Sequence, residues 1–314
     1  MSASVEVRAL SKSYGSVSAL DGIAFDVQPG ELFGLVGPDG AGKTTLFRIL
    51  TTLVLPDAGS ASVLGYDVVR DLWKIRSRVG YMPGGFSLYP DLSVAENLEF
   101  FAAVFGTSVD AGYELIAPVY RQLEPFRDRR AEALSGGMKQ KLALSCALIH
   151  RPEILLLDEP TTGVDAVSRR EFWDQLAALK ATGLTIVVST PYMDEAMRCD
   201  RVALMHGGRI LEIDAPGAIG RRFTAPLVAV RGANRFGMLR SLRAFPHAQS
   251  VYLFGETLHY SDARLEVAPK QVAVEVRAYL AAHGHGDATA EPIAAGIEDS
   301  FMALMGSAPA PVAA

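Results

Sequence analysis

The stretch Gly37-Pro38-Asp39-Gly40-Ala41-Gly42-Lys43-Thr44-Thr45 constrains this chain more than any other, because it fits G-x-x-x-x-G-K-[ST]. It also lies where such a loop must lie. Residues 31–36 before it read as a buried strand, and residues 43–50 after it read as the opening of a helix. A glycine-rich turn between the two lets backbone N–H groups approach a polyphosphate, and the helix N-terminus adds positive potential. In this pattern Lys43 reaches the β- and γ-phosphates and the Thr44 hydroxyl ligates Mg²⁺. The stretch predicts a nucleotide-phosphate site.

With 314 residues there is room for one large domain or two modest ones. The residues are 49% hydrophobic and 21% charged, and the mean hydropathy is +0.19. No uninterrupted apolar run approaches the length of a membrane span, and residues 1–8 lack the pattern of a signal peptide. A net charge of −5 argues against nucleic acid as the main partner. The two cysteines, Cys146 and Cys199, sit in separate apolar or helical contexts, so neither a disulfide framework nor a metal cluster is expected and a cytosolic setting fits.

Alternation predicts strands at 5–10 and 23–27, with Tyr14 in the loop between them. Further strands are expected at 60–64, 79–82, 154–157, 184–189 and 201–206, the last leading through Gly207-Gly208 into a hairpin that ends near 213. Helices are expected from about 71, over most of 93–150, and at 167–181 and 193–199; Ser93 and Glu96 have the spacing of a capping box. Alternating strands and helices imply an α/β core with a mostly parallel sheet and helices on both faces. The pattern changes near 221. Short strands at 226–230, 248–254, 257–260 and 264–267, with helices at 235–244, 270–283 and 297–304, suggest a small α+β domain over 221–306, followed by a disordered tail at 307–314.

Two further stretches carry chemistry. Asp158 and Glu159 end a buried strand, where ligands gather in an open α/β sheet. Asp158 is placed to hold Mg²⁺ together with Thr44, and Glu159 to orient or deprotonate the attacking water as the catalytic carboxylate. Ser135-Gly136-Gly137-Met138-Lys139-Gln140 opens a helix and reads as a second anion-binding helix start, one suited to a nucleotide held by another subunit. His283-Gly284-His285 reads as a loop rather than a metal site, and Arg127, Arg129 and Arg130 as a solvated edge.

Over residues 3 to about 215 the chain resembles the nucleotide-binding subunit of ATP-binding cassette (ABC) transporters, a P-loop NTPase with an antiparallel N-terminal β part and a helical subdomain, here about 85–150. Residues 37–45 resemble Walker A, 134–140 the signature motif, 154–159 Walker B and 163–165 the D-loop, which ends at Asp165; Tyr14 occupies the adenine-stacking position. The stretch 86–98 is similar to the branch that works with exporter-type permeases. The resemblance implies ATP and Mg²⁺ as cofactors, a domain over 1–220, and a head-to-tail dimer with each ATP between Walker A of one subunit and the signature of the other. It also implies an integral membrane permease as partner and a place on the cytoplasmic face of the cell membrane.

Two positions depart from that pattern. Gly84 stands where the family has the Q-loop glutamine, and Pro191 where it has the switch histidine. Neither side chain donates or accepts a hydrogen bond, and losing one transition-state contact typically costs about 10²–10³-fold in rate. Asp39 stands where asparagine is more common. The chain's own site is therefore expected to bind ATP and cleave it slowly. Its intact signature would still complete a competent site on a second, non-identical ATP-binding subunit. A regulatory module that scarcely hydrolyses ATP and a fully active homodimer are the alternatives. A soluble ABC protein acting on ribosomes or DNA would call for two cassettes or a long coiled-coil insertion, and for a basic surface.

Overall fold

The chain opens with a hairpin, β1 (Val5–Tyr14) and β2 (Val17–Val27), with Val5 opposite Val27. Next come β3 (Leu32–Val36), α1 (Lys43–Leu50), β4 (Ala58–Val63), β5 (Tyr66–Asp67), α2 (Leu72–Arg76) and β6 (Val79–Met82). A largely helical stretch holds α3 (Val94–Val104), α4 (Val109–Tyr120) and α5 (Gly136–Leu148). The core then resumes with β7 (Ile154–Asp158), α6 (Ala166–Ala181), β8 (Thr185–Thr190), α7 (Met193–Ala196), β9 (Arg201–His206) and β10 (Arg209–Asp214). The computed structural model describes residues 2–85 and 88–307, so Phe86 and Ser87 of the exporter-like stretch lie outside the described residues. Two compact units divide between Ala215 and Pro216.

Among the described residues the first unit contains two sheets. One is antiparallel, in the order β2-β1-β4-β5; the other, β10-β9-β3-β8-β7-β6, is parallel except at the β9–β10 hairpin. Every residue of β3, β7 and β8 is buried, as in a parallel sheet covered on both faces. Their register sets Val36 beside Thr190 and Asp158 beside Ser189, so three strands end at one place. This is the α/β P-loop architecture expected above.

Three local expectations change. Tyr14 is the last residue of β1 and pairs with Val17; it is not in a loop. Apolar alternation stops at Leu10, but backbone pairing with β2 carries the strand on through polar residues after register shifts. The stretch 121–135 is turns and two short 3-10 helices rather than continuous helix, and α7 is a single turn. The capping box forms as its spacing implies: Ser93 Oγ accepts from the Glu96 amide, and Glu96 accepts from the Ser93 amide at 2.7 Å. Buried Asn97 then donates to the carbonyls of Tyr89, Leu92 and Ser93 and accepts from the Tyr89 amide, which pins the loop entering α3.

In the second unit α8 (Pro216–Arg221) is followed by β11 (Leu227–Arg231), α9 (Arg235–Arg243), β12 (Ala248–Phe254), β13 (Thr257–Asp262), α10 (Pro269–Ala282), β14 (Thr289–Pro292) and α11 (Ile297–Ser307). The antiparallel order β12-β13-β11-β14 with two crossing helices is a ferredoxin-like βαββαβ arrangement. Val228, Val230, Val251, Leu258 and Tyr260 meet Val272 and Val276 in its core. No strand forms at 264–267. Arg264 instead folds back on Asp262 with two hydrogen bonds of 2.9 Å, and the Val267 amide closes a turn on the Arg264 carbonyl at 3.2 Å. β14 has only Ala290 facing the core, so it lacks readable alternation. The tail from 308 lies outside the described residues.

Two outcomes follow from this packing. A Cβ at Gly112 of α4 would meet the Ile149 carbonyl oxygen at 2.4 Å. Helix propensity alone would make Gly112→Ala stabilising by about 0.5–1 kcal/mol. Overpacking against backbone costs about 1–3 kcal/mol, so a net loss is expected, read as a lower denaturant midpoint. Burial pushes the Asp262 carboxyl up, but hydrogen bonds from the Arg264 side chain and amide and from the Tyr260 hydroxyl prevail and hold it below its usual value. Its stabilisation is therefore present above the unfolded value of about 4 and lost as pH falls through the lower folded value. Asp262→Asn is expected to weaken β13 protection in hydrogen exchange at pH 7, and the difference from the native chain to shrink as pH falls below about 4.

Candidate nucleotide-binding site

β3 runs directly into the loop 37–42, and α1 begins at Lys43, so the loop is held between a buried strand and a helix start. Gly42 caps that helix at φ 103°, and a Cβ there would lie 2.3 Å from the Ala19 carbonyl oxygen, so only glycine fits. Pro38, Asp39 and Gly40 are exposed, whereas Ala41 is buried. Lys43 is only 3% exposed; its ammonium donates to the carbonyls of Gly37 (2.7 Å) and Pro38 (2.9 Å) and lies 3.0 Å from Glu159 Oε1. Thr44 and Thr45 are half-buried on the first turn of α1, where no acidic side chain opposes an anion.

Asp158 and Glu159 meet this loop from the end of β7. Ser189 Oγ donates to Asp158 Oδ1 at 2.7 Å and accepts from the Glu159 amide at 2.9 Å. Glu159 has φ 49°, a left-handed conformation that costs a non-glycine residue about 1–3 kcal/mol and that accompanies its approach to Lys43. Asp158 Oδ2 is buried without a hydrogen-bond partner. A lone carboxylate oxygen beside a phosphate loop suits Mg²⁺, which takes one or two carboxylates and completes its shell with phosphate and water.

Gly84 lies against the same carboxylate: a Cβ there would sit 3.4 Å from Asp158 Oδ2. Residue 84 thus faces the unpartnered Asp158 oxygen, and glycine leaves that face bare. Pro191 directly follows Thr190 at the end of β8. A cavity of about 320 Å³ joins Gly84, Gly136, Gln140, Glu159 and Gly163. Ser135 caps α5 by accepting from Met138, and Gly136 and Gly137 face Gly163 and Ser168. Asp165 caps α6 by accepting from the amides of Val167 (3.1 Å) and Ser168 (3.0 Å), and the Ser168 amide bond leads in holding its carboxyl below the usual range. Tyr14 is 45% exposed; Asp57 accepts from Lys12 and from the Ser13 amide, both at 2.7 Å, and so fixes the strand end that carries the ring.

Sequence reading missed a second cavity, of about 630 Å³, because its wall combines distant segments: Leu53, Trp73, Tyr81, Phe101, Phe105 and His150. Trp73 is 75% exposed, an unusual position for so large an apolar side chain. His150 stacks on Phe105, with centroids 3.7 Å apart, and contacts the Val79 carbonyl; desolvation pushes its pKa down. Burial pushes both cysteine thiols up, which leaves them unreactive.

A buried strand, a glycine loop closed around a lysine, and an Asp-Glu pair at the end of β7, one strand removed from β3 across β8, define a P-loop nucleotide-binding domain. A family model described as ABC transporter matches residues 20–162. The Nod factor export ATP-binding protein I of Burkholderia orbicola (strain AU 1054) is 40% identical over 260 residues, 82% of this chain and 85% of that protein. The probable multidrug ABC transporter ATP-binding protein YbhF of Escherichia coli (strain K12) is 42% identical over 214 residues; the match spans 68% of this chain but only 37% of that relative's length. Among solved structures, an ATP-binding subunit of an ABC transporter aligns with TM-score 0.63 and 31% identity over 70% of this chain and 92% of that one. A dimeric ATP-binding cassette in a post-hydrolysis state, bound to ADP and Pi, aligns with TM-score 0.61 and 26% identity, covering 67% and 98%. The chain belongs to the ATP-binding proteins of ABC transporters.

The Lys43–Glu159 contact makes one substitution informative. Glu159→Gln removes the charge held against Lys43 and the carboxylate that the sequence leads one to expect as activator of the attacking water. Mg-ATP affinity is expected to hold or rise while turnover falls about 10²-fold or more, measured by equilibrium binding beside steady-state phosphate release.

Proposed function

We propose that the chain is the ATP-hydrolysing subunit of a membrane exporter and drives a separate permease from the cytoplasmic face. The observation that carries this reading is the convergence of Lys43, Asp158 and Glu159 on one loop, with Asp158 Oδ2 unpartnered. The phosphates take over Lys43 from Glu159 and from the loop carbonyls, and the loop amides with the α1 N-terminus hold the chain of phosphates. Thr44 and Asp158 hold Mg²⁺, which supplies charge neutralisation at the phosphates. Glu159, released from Lys43, orients the attacking water. Tyr14 stacks on the adenine.

A second copy or a second ATP-binding subunit supplies Ser135–Gly137 and Asp165 across a head-to-tail dimer. The apolar groove around Trp73 and Phe105 takes a short helix of the permease, and closing the dimer moves that groove. Export is supported by the relatives named above, a probable multidrug transporter ATP-binding protein and a Nod factor export ATP-binding protein.

Within such a dimer this chain is the catalytically weaker half. Gly84 and Pro191 bring no side-chain donor or acceptor to the two positions that flank Asp158 and Thr190. A regulatory role, with ATP held and scarcely cleaved, is favoured by the same two residues. The purified chain is expected to bind Mg-ATP tightly with little turnover, and Gly84→Gln with Pro191→His to raise turnover at least about ten-fold, given 10²–10³-fold per lost contact. Steady-state phosphate release beside nucleotide binding decides this; robust turnover without either change overturns the weaker-half assignment.

A further inference from the structure

A buried carboxylate outside the nucleotide contacts joins two loops of the site. Glu195 in α7 is 3% exposed. Its Oε1 accepts from the Thr161 hydroxyl at 2.7 Å and its Oε2 from the Thr190 hydroxyl at 2.5 Å. Both threonines are themselves buried, at 2% and 0% exposure. The Arg169 guanidinium, reaching from α6, lies 3.7 Å from Glu195 Oε1 and 4.8 Å from the Tyr192 ring centroid. A carboxylate this deep persists only where its acceptors are satisfied and a cation is near; here two hydroxyls and Arg169 meet that need.

Each threonine belongs to a different segment. The Thr190 carbonyl accepts from the Gly37 amide at 3.3 Å, the first residue of the phosphate loop, and the Thr190 hydroxyl also accepts from the Tyr192 amide at 3.0 Å. The Thr161 carbonyl accepts from the Val164 amide at 3.2 Å, which forms the turn leading to Asp165. Phosphate loop, end of β8, Glu195 and the 163–165 loop therefore form one hydrogen-bonded series. Pro191 has no amide N–H and no polar side chain, so Thr190 is the last residue before it with hydrogen-bonding groups on both backbone and side chain.

We infer that Glu195 is a positioning residue that fastens the Thr161 turn to Thr190, so that nucleotide on the phosphate loop is felt in the 163–165 loop. The carboxylate is buried and reaches the phosphate loop only through the Thr190 contact. It acts by holding two hydroxyls in one register, and either threonine alone leaves the series open. The physical connection is the hydrogen-bonded series itself, and coupling through it is a measurable free energy.

The test uses the full chain with Mg-AMPPNP as probe, below the concentration at which light scattering detects self-association. In the native chain, saturating Mg-AMPPNP is expected to slow amide exchange over 162–165 by about ten-fold, within the usual range of coupling between sites. Glu195→Gln, whose single oxygen accepts from one hydroxyl while its NH2 group, a donor, faces the other, is expected to bind the probe within about three-fold of native affinity yet lose most of that slowing. The isosteric Thr161→Val carries the same comparison should Glu195→Gln fail to fold. Thr161→Val combined with Thr190→Val is expected to be no worse than either alone, because both act through one carboxylate. Full slowing in Glu195→Gln or Thr161→Val overturns the assignment. So do additive losses in the double variant, or absence of any response at 162–165 in the native chain.

Discussion

A lysine ammonium with almost no access to water sets the terms for the nucleotide site. Lys43 is buried, and a buried cation without partners costs several kcal/mol. The loop answers by turning the Gly37 and Pro38 carbonyls inward, and β7 answers by placing Glu159 at 3.0 Å despite its left-handed backbone. The phosphate cradle is thus folded around a charge that phosphate can claim. Lys43 is held by three acceptors, two loop carbonyls and the Glu159 carboxylate.

The frame around that lysine is the end of a parallel sheet. β3, β7 and β8 bring the loop, the Asp158-Glu159 pair and the Ser189-Thr190 pair to one edge through their register. Ser189 serves both acidic residues, and Thr190 serves the phosphate loop and Glu195. Gly84 and Pro191 stand inside an otherwise intact frame. Neither residue carries a hydrogen-bonding side chain, while the strand ends, caps and turns around them are formed. Pro83, the residue before Gly84, also lines the groove around Trp73.

Legibility followed the range of the interactions. The phosphate loop was readable because strand, glycine turn and helix lie within twenty residues, and the Ser93–Glu96 capping box because its bonds span three. Asp158 and Glu159 were readable because they end a run of buried aliphatics. Tyr14 was misplaced because β1 is held past Leu10 by pairing with β2, which leaves no apolar alternation. Residues 264–267 look like a strand until Arg264 finds Asp262, and β14 offers a single core-facing residue. Glu195 was not readable as a bridge, since Thr161 lies 34 residues before it and nothing local marks the pair.

By itself the sequence determined the α/β class, the phosphate loop, the acidic strand end, the glycine-rich start of α5 and the identities of Gly84 and Pro191. Each of these depends on residues close together in the chain and on rules of backbone geometry that need no partner. Only the tertiary structure decided that Gly84 faces Asp158, that Lys43 is already held by Glu159, that distant apolar residues line a groove beside Trp73, and that Glu195 joins Thr161 to Thr190. Those facts rest on strand register and on burial, which raise the cost of any unpaired charge and so select one arrangement among many that the sequence pattern allows.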